Sequence, residues 1–175
     1  KGYAMVSAGL AAFLLFQAYL DRVSFLRFGV TGSFNIVNIS NIEVFVGGLL
    51  AAMLVYLFSA WAIRSVGKTA SSIIDAVRKQ FREHPGIMAG TEKPNYAEIV
   101  DITAKAGLRE MIAPALLVVL APVVVGLLFK YLPWIPLADG KFYKWDAAQV
   151  VAALLMIGTI SGIMLASFMN NGGGA

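Results

Sequence analysis

The sequence predicts an all-α fold, a polytopic membrane helix bundle with four transmembrane helices. The hydrophobic fraction, 59% of 175 residues, is higher than soluble domains of this size carry. Four apolar stretches have no charged residue in their interior, and each approaches or exceeds the roughly 20 residues that a helix needs to cross the hydrocarbon layer. These predicted spans cover residues 2–20, 44–63, 111–129 and 147–169.

Composition narrows the possible functions. The chain has no cysteine, which excludes disulfides and thiolate metal sites. Pumps and channels usually place ionisable groups at membrane depth, so we expect most of the chemistry to lie outside these charge-free spans. The net charge of +4 is better explained by the distribution of basic residues among membrane loops than by a nucleic-acid partner.

The chain starts at Lys1 against an apolar span, without an initiator Met, and it closes on a glycine run. We therefore expect residues 1–175 to be a fragment of one integral membrane domain.

The first span carries small residues at every fourth position, Ala4, Ala8 and Ala12. Such a stripe lets a neighbouring helix approach closely in lipid. It is typical of helix packing, although lining a narrow pathway is also compatible with it. In the connection 21–42, glycines and alternating apolar residues predict a short β-hairpin at the membrane surface.

The second span has no helix breaker at its far end. Apolar residues continue beyond residue 63 at helical spacing, through Ile73, Val77 and Phe81, until Pro85 stops the helix. A helix over 43–83 would be on the order of 60 Å long, about twice the hydrocarbon thickness. Its second half must therefore stand in water.

The chain returns through a second polar helix. Asn95, followed three residues later by Glu98, forms a capping-box pattern that predicts the helix start. Asp101 and Lys105 have the spacing of an ion pair on a helix. This helix should lead directly into the third span at Met111. We call residues 64–110 the helical arm.

The last span repeats small residues at every fourth position, Gly158, Gly162 and Ala166. As in the first span, this pattern favours a helix-contact face. A more specific form of this prediction places the last span in the inner part of a larger helix bundle.

Orientation follows from the basic residues of the connections. The helical arm has eight Lys and Arg residues, and the two opposite connections have five. The positive-inside tendency therefore places the arm and both chain ends in the cytoplasm.

The helical arm also carries most of the candidate chemistry. It has six acidic residues and His84, the only histidine. Two carboxylates on helices could bind Mg²⁺ together with the phosphate oxygens of a substrate. However, most of these acids have a basic neighbour three or four residues away, which is typical of a solvated helix face. His84 has no companion at metal-ligand spacing and is expected at the surface. We predict no catalytic residue and no metal ligand in this chain.

Several short motifs resemble one known family. They are residues 82–90 (REHPGIMAG), 94–96 (PNY), 100–102 (VDI), 110–112 (EMI), the opening KGYA and the closing NGGGA. Together they are similar to the membrane-integral pyrophosphatases, ion pumps driven by hydrolysis of pyrophosphate. Asn95, Asn170 and Gly172 depart from the residues that are more common in the family, which weakens assignment to a subfamily.

The resemblance implies a fragment of a protein of about sixteen helices, packed against the rest of the same polypeptide in a homodimer. The first and last helices of this chain would belong to the inner ring and the middle two to the outer ring. The whole protein would hydrolyse Mg²⁺-pyrophosphate in the cytoplasm and move H⁺ or Na⁺ across a cell or organellar membrane. Mg²⁺ would be its cofactor, with K⁺ and Na⁺ as further candidate ions. A non-enzymatic helix-packing module of another transporter is the alternative.

The resemblance implies a role for three residues of this chain. Lys1 and Asn171 would lie near the substrate funnel on the cytoplasmic side. Leu15 would be part of an apolar constriction of the ion path. No catalytic residue carries over.

Overall fold

The computed structural model describes residues 2–34, 37–132, 135–136 and 142–172. Its elements are α1 (Gly2–Phe28), α2 (Ile42–Glu83), a 3₁₀ turn (Pro85–Ile87), α3 (Tyr96–Glu110), α4 (Ile112–Tyr131), β1 (Ile135–Pro136), β2 (Phe142–Tyr143) and α5 (Ala147–Gly172). Four helical segments have the length and composition to cross a membrane, namely Gly2–Phe28, Ile42–Glu83, Tyr96–Tyr131 and Ala147–Gly172. The predicted class, an all-α membrane bundle, is confirmed.

The hairpin expected in residues 21–42 is wrong. The described part of that connection continues α1 to Phe28 and then forms a compact turn. The buried Ser24 hydroxyl organises this turn: it donates to the Val30 carbonyl at 2.7 Å and accepts from the backbone N–H groups of Ser33 (2.8 Å) and Phe34 (3.2 Å). These bonds satisfy backbone groups that a strand pair would otherwise have to satisfy. Gly29, with φ of 74°, supplies the left-handed conformation that ends the helix.

The only strands in the described residues lie in the second connection instead. β1 and β2 pair antiparallel, with Ile135 opposite Tyr143 and Pro136 opposite Phe142. Each strand has two residues. The alternation of apolar residues before α2 was therefore a misleading signal.

The long helix is confirmed, since α2 runs unbroken over 42 residues to Glu83. It belongs to two compact units. The first unit comprises Lys1–Tyr56 and Val119–Ala175, and the second comprises Leu57–Val118.

In the first unit, two apolar clusters form the core. One contains Ala51, Val125, Phe129, Val150 and Leu154, and the Trp145 ring meets the Phe129 ring edge-on at 5.6 Å. The other contains Leu20, Phe34 and Ala152. The helices α2 and α5 approach very closely, because a Cβ added at Gly47 would lie 2.7 Å from the Val150 carbonyl oxygen.

Helices α1 and α5 of the first unit pack antiparallel. Met5 lies beside Ser167 (Sδ to Oγ, 3.5 Å), and the Tyr19 hydroxyl donates to the Ala148 carbonyl at 2.9 Å. Between these contacts, a Cβ added at Gly9 would lie 2.8 Å from Ile163 Cδ1. Contacts therefore follow the pair over most of its length.

In the second unit, α2 and α3 form a helix–turn–helix. Asn95 caps α3, and its side-chain oxygen accepts from the Glu98 N–H at 3.3 Å, as predicted. The Asp101–Lys105 ion pair is also confirmed, at 2.7 Å. Met111 separates α3 from α4, so the polar helix leads almost directly into the third apolar helix.

Candidate functional site

A polar network joins the end of α1 to the start of α5. The Arg27 guanidinium, in the last turn of α1, donates to both carboxylate oxygens of Asp146 at 2.8 and 2.6 Å. Asp146 also caps α5, since its Oδ1 accepts from the backbone N–H groups of Ala148 (3.1 Å) and Gln149 (3.4 Å). Two parallel N–H···O bonds to a carboxylate are stronger and more directional than a single contact.

Further side chains extend this network. The Arg27 guanidinium lies over the Phe34 ring, 5.2 Å from its centroid, within cation–π range. Gln149 donates to Asp146 Oδ2 at 3.4 Å and accepts from the Asn41 amide at 3.2 Å. The network therefore connects α1, the turn that follows it, the residue before α2, and α5.

Opposing effects set the protonation of Asp146. Burial alone would raise the pKa of this carboxyl, but the hydrogen bonds and charge of Arg27 lower it, and so do the backbone N–H groups of Gln149 and Ala148. The net result is a pKa below the usual range for aspartate. The carboxylate is therefore ionised at neutral pH.

Glu43 is the acidic residue closest to the second predicted span. Its side chain is 4% exposed, and its Oε2 is buried without a hydrogen-bond partner among the described residues. A buried polar atom without a hydrogen bond is costly. Its position in the first turn of α2 offers some compensation from the helix dipole.

In the second unit, Gln80 connects the two helices of the arm. Its Nε2 donates to the Asn95 carbonyl and to Glu98 Oε2, both at 3.1 Å, and its Oε1 accepts from the Asn95 N–H at 3.2 Å. In a capping box, Glu98 would accept that N–H; here Gln80 does so. Sequence reasoning missed this residue. The sequence could have indicated it, because Gln80 is a polar residue on the apolar face of α2, three residues after Val77.

A cavity of about 220 Å³ lies beside Gln80. Its lining residues are Lys79, Gln80, Glu83, His84, Ile87, Glu92, Lys93, Asn95 and Glu98. His84 is half-exposed, and its Nδ1 lies 2.8 Å from Glu92 Oε1. His84 has no companion at metal-ligand spacing in the sequence, but it has an acidic partner in the structure, because the turn after Pro85 brings the two residues together.

Another long-range contact of the second unit involves the end of α3. Glu110 accepts from Lys68 Nζ at 2.9 Å and from Ser65 Oγ at 3.2 Å. Most of the six carboxylates of the arm thus bond to a basic or amide side chain. In the part of the chain that the structure describes, no three His, Cys, Asp or Glu residues converge as a metal site would require.

The predicted stripe of α1 is only partly turned toward α5. Ala4 and Ala8 are exposed and Ala12 is half-buried, whereas Gly9 makes the close approach to Ile163. Leu15 is 71% exposed, on a face of α1 that α5 does not cover. A packing role for the alanines and a constriction at Leu15 stay predictions.

On α5 as well, only part of the predicted stripe of small residues contacts a neighbouring helix. Gly158 faces α2, because a Cβ there would lie 3.8 Å from Ala51 Cβ. Gly162 has nothing within 4 Å among the described residues, and Ala166 is exposed. Asn171 is exposed at the end of α5, and Lys1 lies outside the described residues. The funnel assignments for Lys1 and Asn171 also stay predictions.

Comparison with known proteins identifies the family. The sequence profile of the inorganic H⁺ pyrophosphatases matches residues 1–175. The chain is 51% identical over 175 residues to a K(+)-insensitive pyrophosphate-energized proton pump of Caldanaerobacter subterraneus subsp. tengcongensis, covering 100% of this chain and 22% of that protein. It is 49% identical over 175 residues to the K(+)-insensitive pyrophosphate-energized proton pump 2 of Moorella thermoacetica, with 100% and 23% covered. It is 48% identical over 178 residues to pyrophosphate-energized membrane proton pump 3 of Arabidopsis thaliana, with 100% and 21% covered.

The chain spans less than a quarter of the length of these relatives. The match nevertheless runs through all four apolar helices and the helical arm. The family that the sequence motifs resemble is thereby confirmed. The chain belongs to the inorganic H⁺ pyrophosphatase family.

Proposed function

We propose that this chain is part of a pyrophosphate-energised pump that hydrolyses pyrophosphate in the cytoplasm and moves H⁺ across the membrane. The observation that carries the proposal is the 51% identity to a named proton pump over the whole chain. Four helices of membrane-spanning length support it. A non-enzymatic module of another transporter has no comparable support.

The names of the relatives favour one ion over the others. All three pumps are named for protons, and two are named K(+)-insensitive. These names give no support to Na⁺ as the transported ion and conflict with K⁺ as a cofactor. The pump we propose therefore transports H⁺ and works without K⁺.

Magnesium would neutralise the diphosphate charge and polarise its phosphoryl oxygens. The described residues do not fit a Mg²⁺ site, because the carboxylates of the arm bond to Lys68, Gln80, His84 and Lys105 instead of converging. We propose that the Mg²⁺ ligands and the residues that activate water belong to other parts of the same polypeptide.

The α1–α5 pair would then form part of the wall of the pump. Its contacts from Met5–Ser167 to Arg27–Asp146 hold the two helices together along their length. In this arrangement Lys1 and Asn171 lie at the cytoplasmic substrate funnel and Leu15 narrows the ion path. The helical arm stands in the cytoplasm, and the complete pump is a homodimer.

The proposal is tested with the full-length pump in proteoliposomes. Pyrophosphate hydrolysis is measured by phosphate release, and H⁺ uptake is measured with a pH-sensitive dye. We expect uptake that requires pyrophosphate and Mg²⁺ and persists when K⁺ and Na⁺ are replaced by a large organic cation. Hydrolysis without H⁺ uptake, or transport that requires Na⁺, would contradict the proposal.

A further inference from the structure

We infer that the Arg27–Asp146 pair is a positioning element that couples H⁺ transport to pyrophosphate hydrolysis. The pair would hold α1 in one register on α5 at the end of these helices opposite the substrate. This inference rests on the proposed function. Neither residue takes part in the hydrolysis of pyrophosphate itself.

Most of the other contacts between α1 and α5 have little directionality. Gly9 meets the side chain of Ile163, and Met5 meets Ser167 through its sulfur. Small-residue and apolar contacts permit close packing, but they do not depend on angle as hydrogen bonds do. The Tyr19–Ala148 hydrogen bond adds one directional contact. The Arg27–Asp146 fork adds two at once, which depend on both distance and angle.

Both partners are firmly attached to their own helices. Asp146 bonds to the first free N–H groups of α5, so it moves with that helix. Arg27 belongs to the last turn of α1 and lies over Phe34, which is buried in a cluster with Leu20 of the same helix and Ala152 of α5. A shift of α1 by one residue, about 1.5 Å along the axis and 100° around it, would break both bonds of the fork.

The pair thereby influences a distant position on α1. Leu15 lies 12 residues before Arg27 in the sequence, about 18 Å along the helix. Its side chain is 71% exposed, so α5 does not cover it. Which way Leu15 points depends on how α1 is rotated on α5, and the Arg27–Asp146 fork restricts that rotation. Losing the fork should therefore affect transport more than hydrolysis.

The test compares Arg27→Met, Asp146→Asn and the double variant in the full-length pump, reconstituted in proteoliposomes. Asparagine keeps the oxygen that caps α5 but removes the charge. The readout is the number of H⁺ taken up per pyrophosphate hydrolysed. A purely structural defect lowers both rates together and leaves this ratio unchanged. We expect each single variant to lower the ratio by about twofold or more, and the double variant to be no worse than the lower single variant.

Two further variants make the comparison specific. Arg22→Met removes the same charge from the exposed face of the same helix, where Arg22 lies over Phe25; its ratio should match the wild type. Arg27→Lys keeps the charge but cannot form the two-bond fork, so its ratio should lie in between. If Arg27→Met fails to assemble, Arg27→Lys and Asp146→Asn decide the question.

Wild-type ratios in all Arg27 and Asp146 variants would overturn the inference. Independent, additive losses in the double variant would also overturn it, because the residues would then not act as a pair. If the wild-type pump itself neither hydrolyses pyrophosphate nor takes up H⁺, the proposed function fails instead, and the two failures are distinguishable.

Discussion

The side-chain amide of Gln80 pairs with the backbone of Asn95, donating to its carbonyl and accepting from its N–H. Two residues paired in an antiparallel β-sheet can exchange the same two hydrogen bonds, one N–H···O bond in each direction. Here a side-chain amide takes the place of one backbone. Gln80 also donates to Glu98 and is nearly buried. One residue thus holds the turn of the helical arm against α2.

We predict that Gln80→Ala loosens the turn of the arm. Asn95 would lose a partner at each backbone group and Glu98 would lose a donor. A typical intramolecular hydrogen bond contributes about 0.5–1.5 kcal/mol. Hydrogen exchange of residues 84–98 in the full-length protein should accelerate. The matched control is Lys79→Ala, which removes an exposed neighbour whose contact to Glu83 is long, at 3.9 Å. Equal exchange in the two variants would contradict this role for Gln80.

A second prediction concerns the close approach of α2 and α5. In Gly47→Ala the new methyl group would lie 2.7 Å from the Val150 carbonyl oxygen and 3.1 Å from Val150 Cγ1. Both neighbours belong to a fully buried residue, so the helices must separate. Overpacking of this kind costs about 1–3 kcal/mol. We expect a lower thermal unfolding midpoint for the protein in detergent.

Gly67 provides the matched control on the same helix. A Cβ there meets nothing within 4 Å, and alanine is favoured over glycine inside a helix by about 1 kcal/mol. Gly67→Ala should therefore leave the midpoint unchanged or raise it. If the two alanine variants behave alike, close packing at Gly47 is not what limits stability.

Local sequence patterns were sufficient for the helices. Hydropathy located the four apolar helices, the absence of a breaker before Pro85 predicted the length of α2, and the Asn95–Glu98 spacing predicted the start of α3. Each of these signals lies within a few residues of the feature it predicts. The structure confirms them because helix formation and capping are governed by such neighbours.

The interhelical contacts could not be predicted in this way. Arg27 and Asp146 are 119 residues apart, and nothing near either residue indicates its partner. The Ser24 turn was mistaken for a hairpin because alternation of apolar residues does not show where a buried hydroxyl satisfies the backbone. On α1 the alanine stripe was visible, but the neighbouring Gly9 makes the close approach. The helix face that packs is decided by the partner helix.

A third prediction follows from the pKa of Asp146. Because this pKa is lowered in the folded state, the ionised carboxylate stabilises the fold at every pH above the ordinary aspartate pKa of about 3.9. The stabilisation is lost as the pH falls through the lowered value. Wild-type protein should therefore unfold at a higher temperature than Asp146→Asn at pH 7, and the difference should shrink toward pH 3.

Asp101→Asn is the control for this pH series. Its partner Lys105 lies four residues away on the exposed surface of α3, and such pairs contribute about 0.3–0.5 kcal/mol. This variant should hardly change the unfolding temperature at pH 7. A difference between wild type and Asp146→Asn that grows as the pH falls would show that the sign assigned to Asp146 is wrong.

The last prediction concerns the buried acid before the second span. Glu43 is 4% exposed, and its Oε2 has no partner within the described ranges of the chain. Replacing it with glutamine keeps the size of the side chain and exchanges the carboxyl group, whose buried Oε2 lacks a hydrogen bond, for a neutral amide. We expect Glu43→Gln to unfold at the same temperature as the wild type or a higher one. Glu92→Gln is the comparison, because it removes a half-exposed acid that pairs with His84. A large loss of stability in Glu43→Gln alone would mean that a group elsewhere in the full-length protein binds the Glu43 side chain.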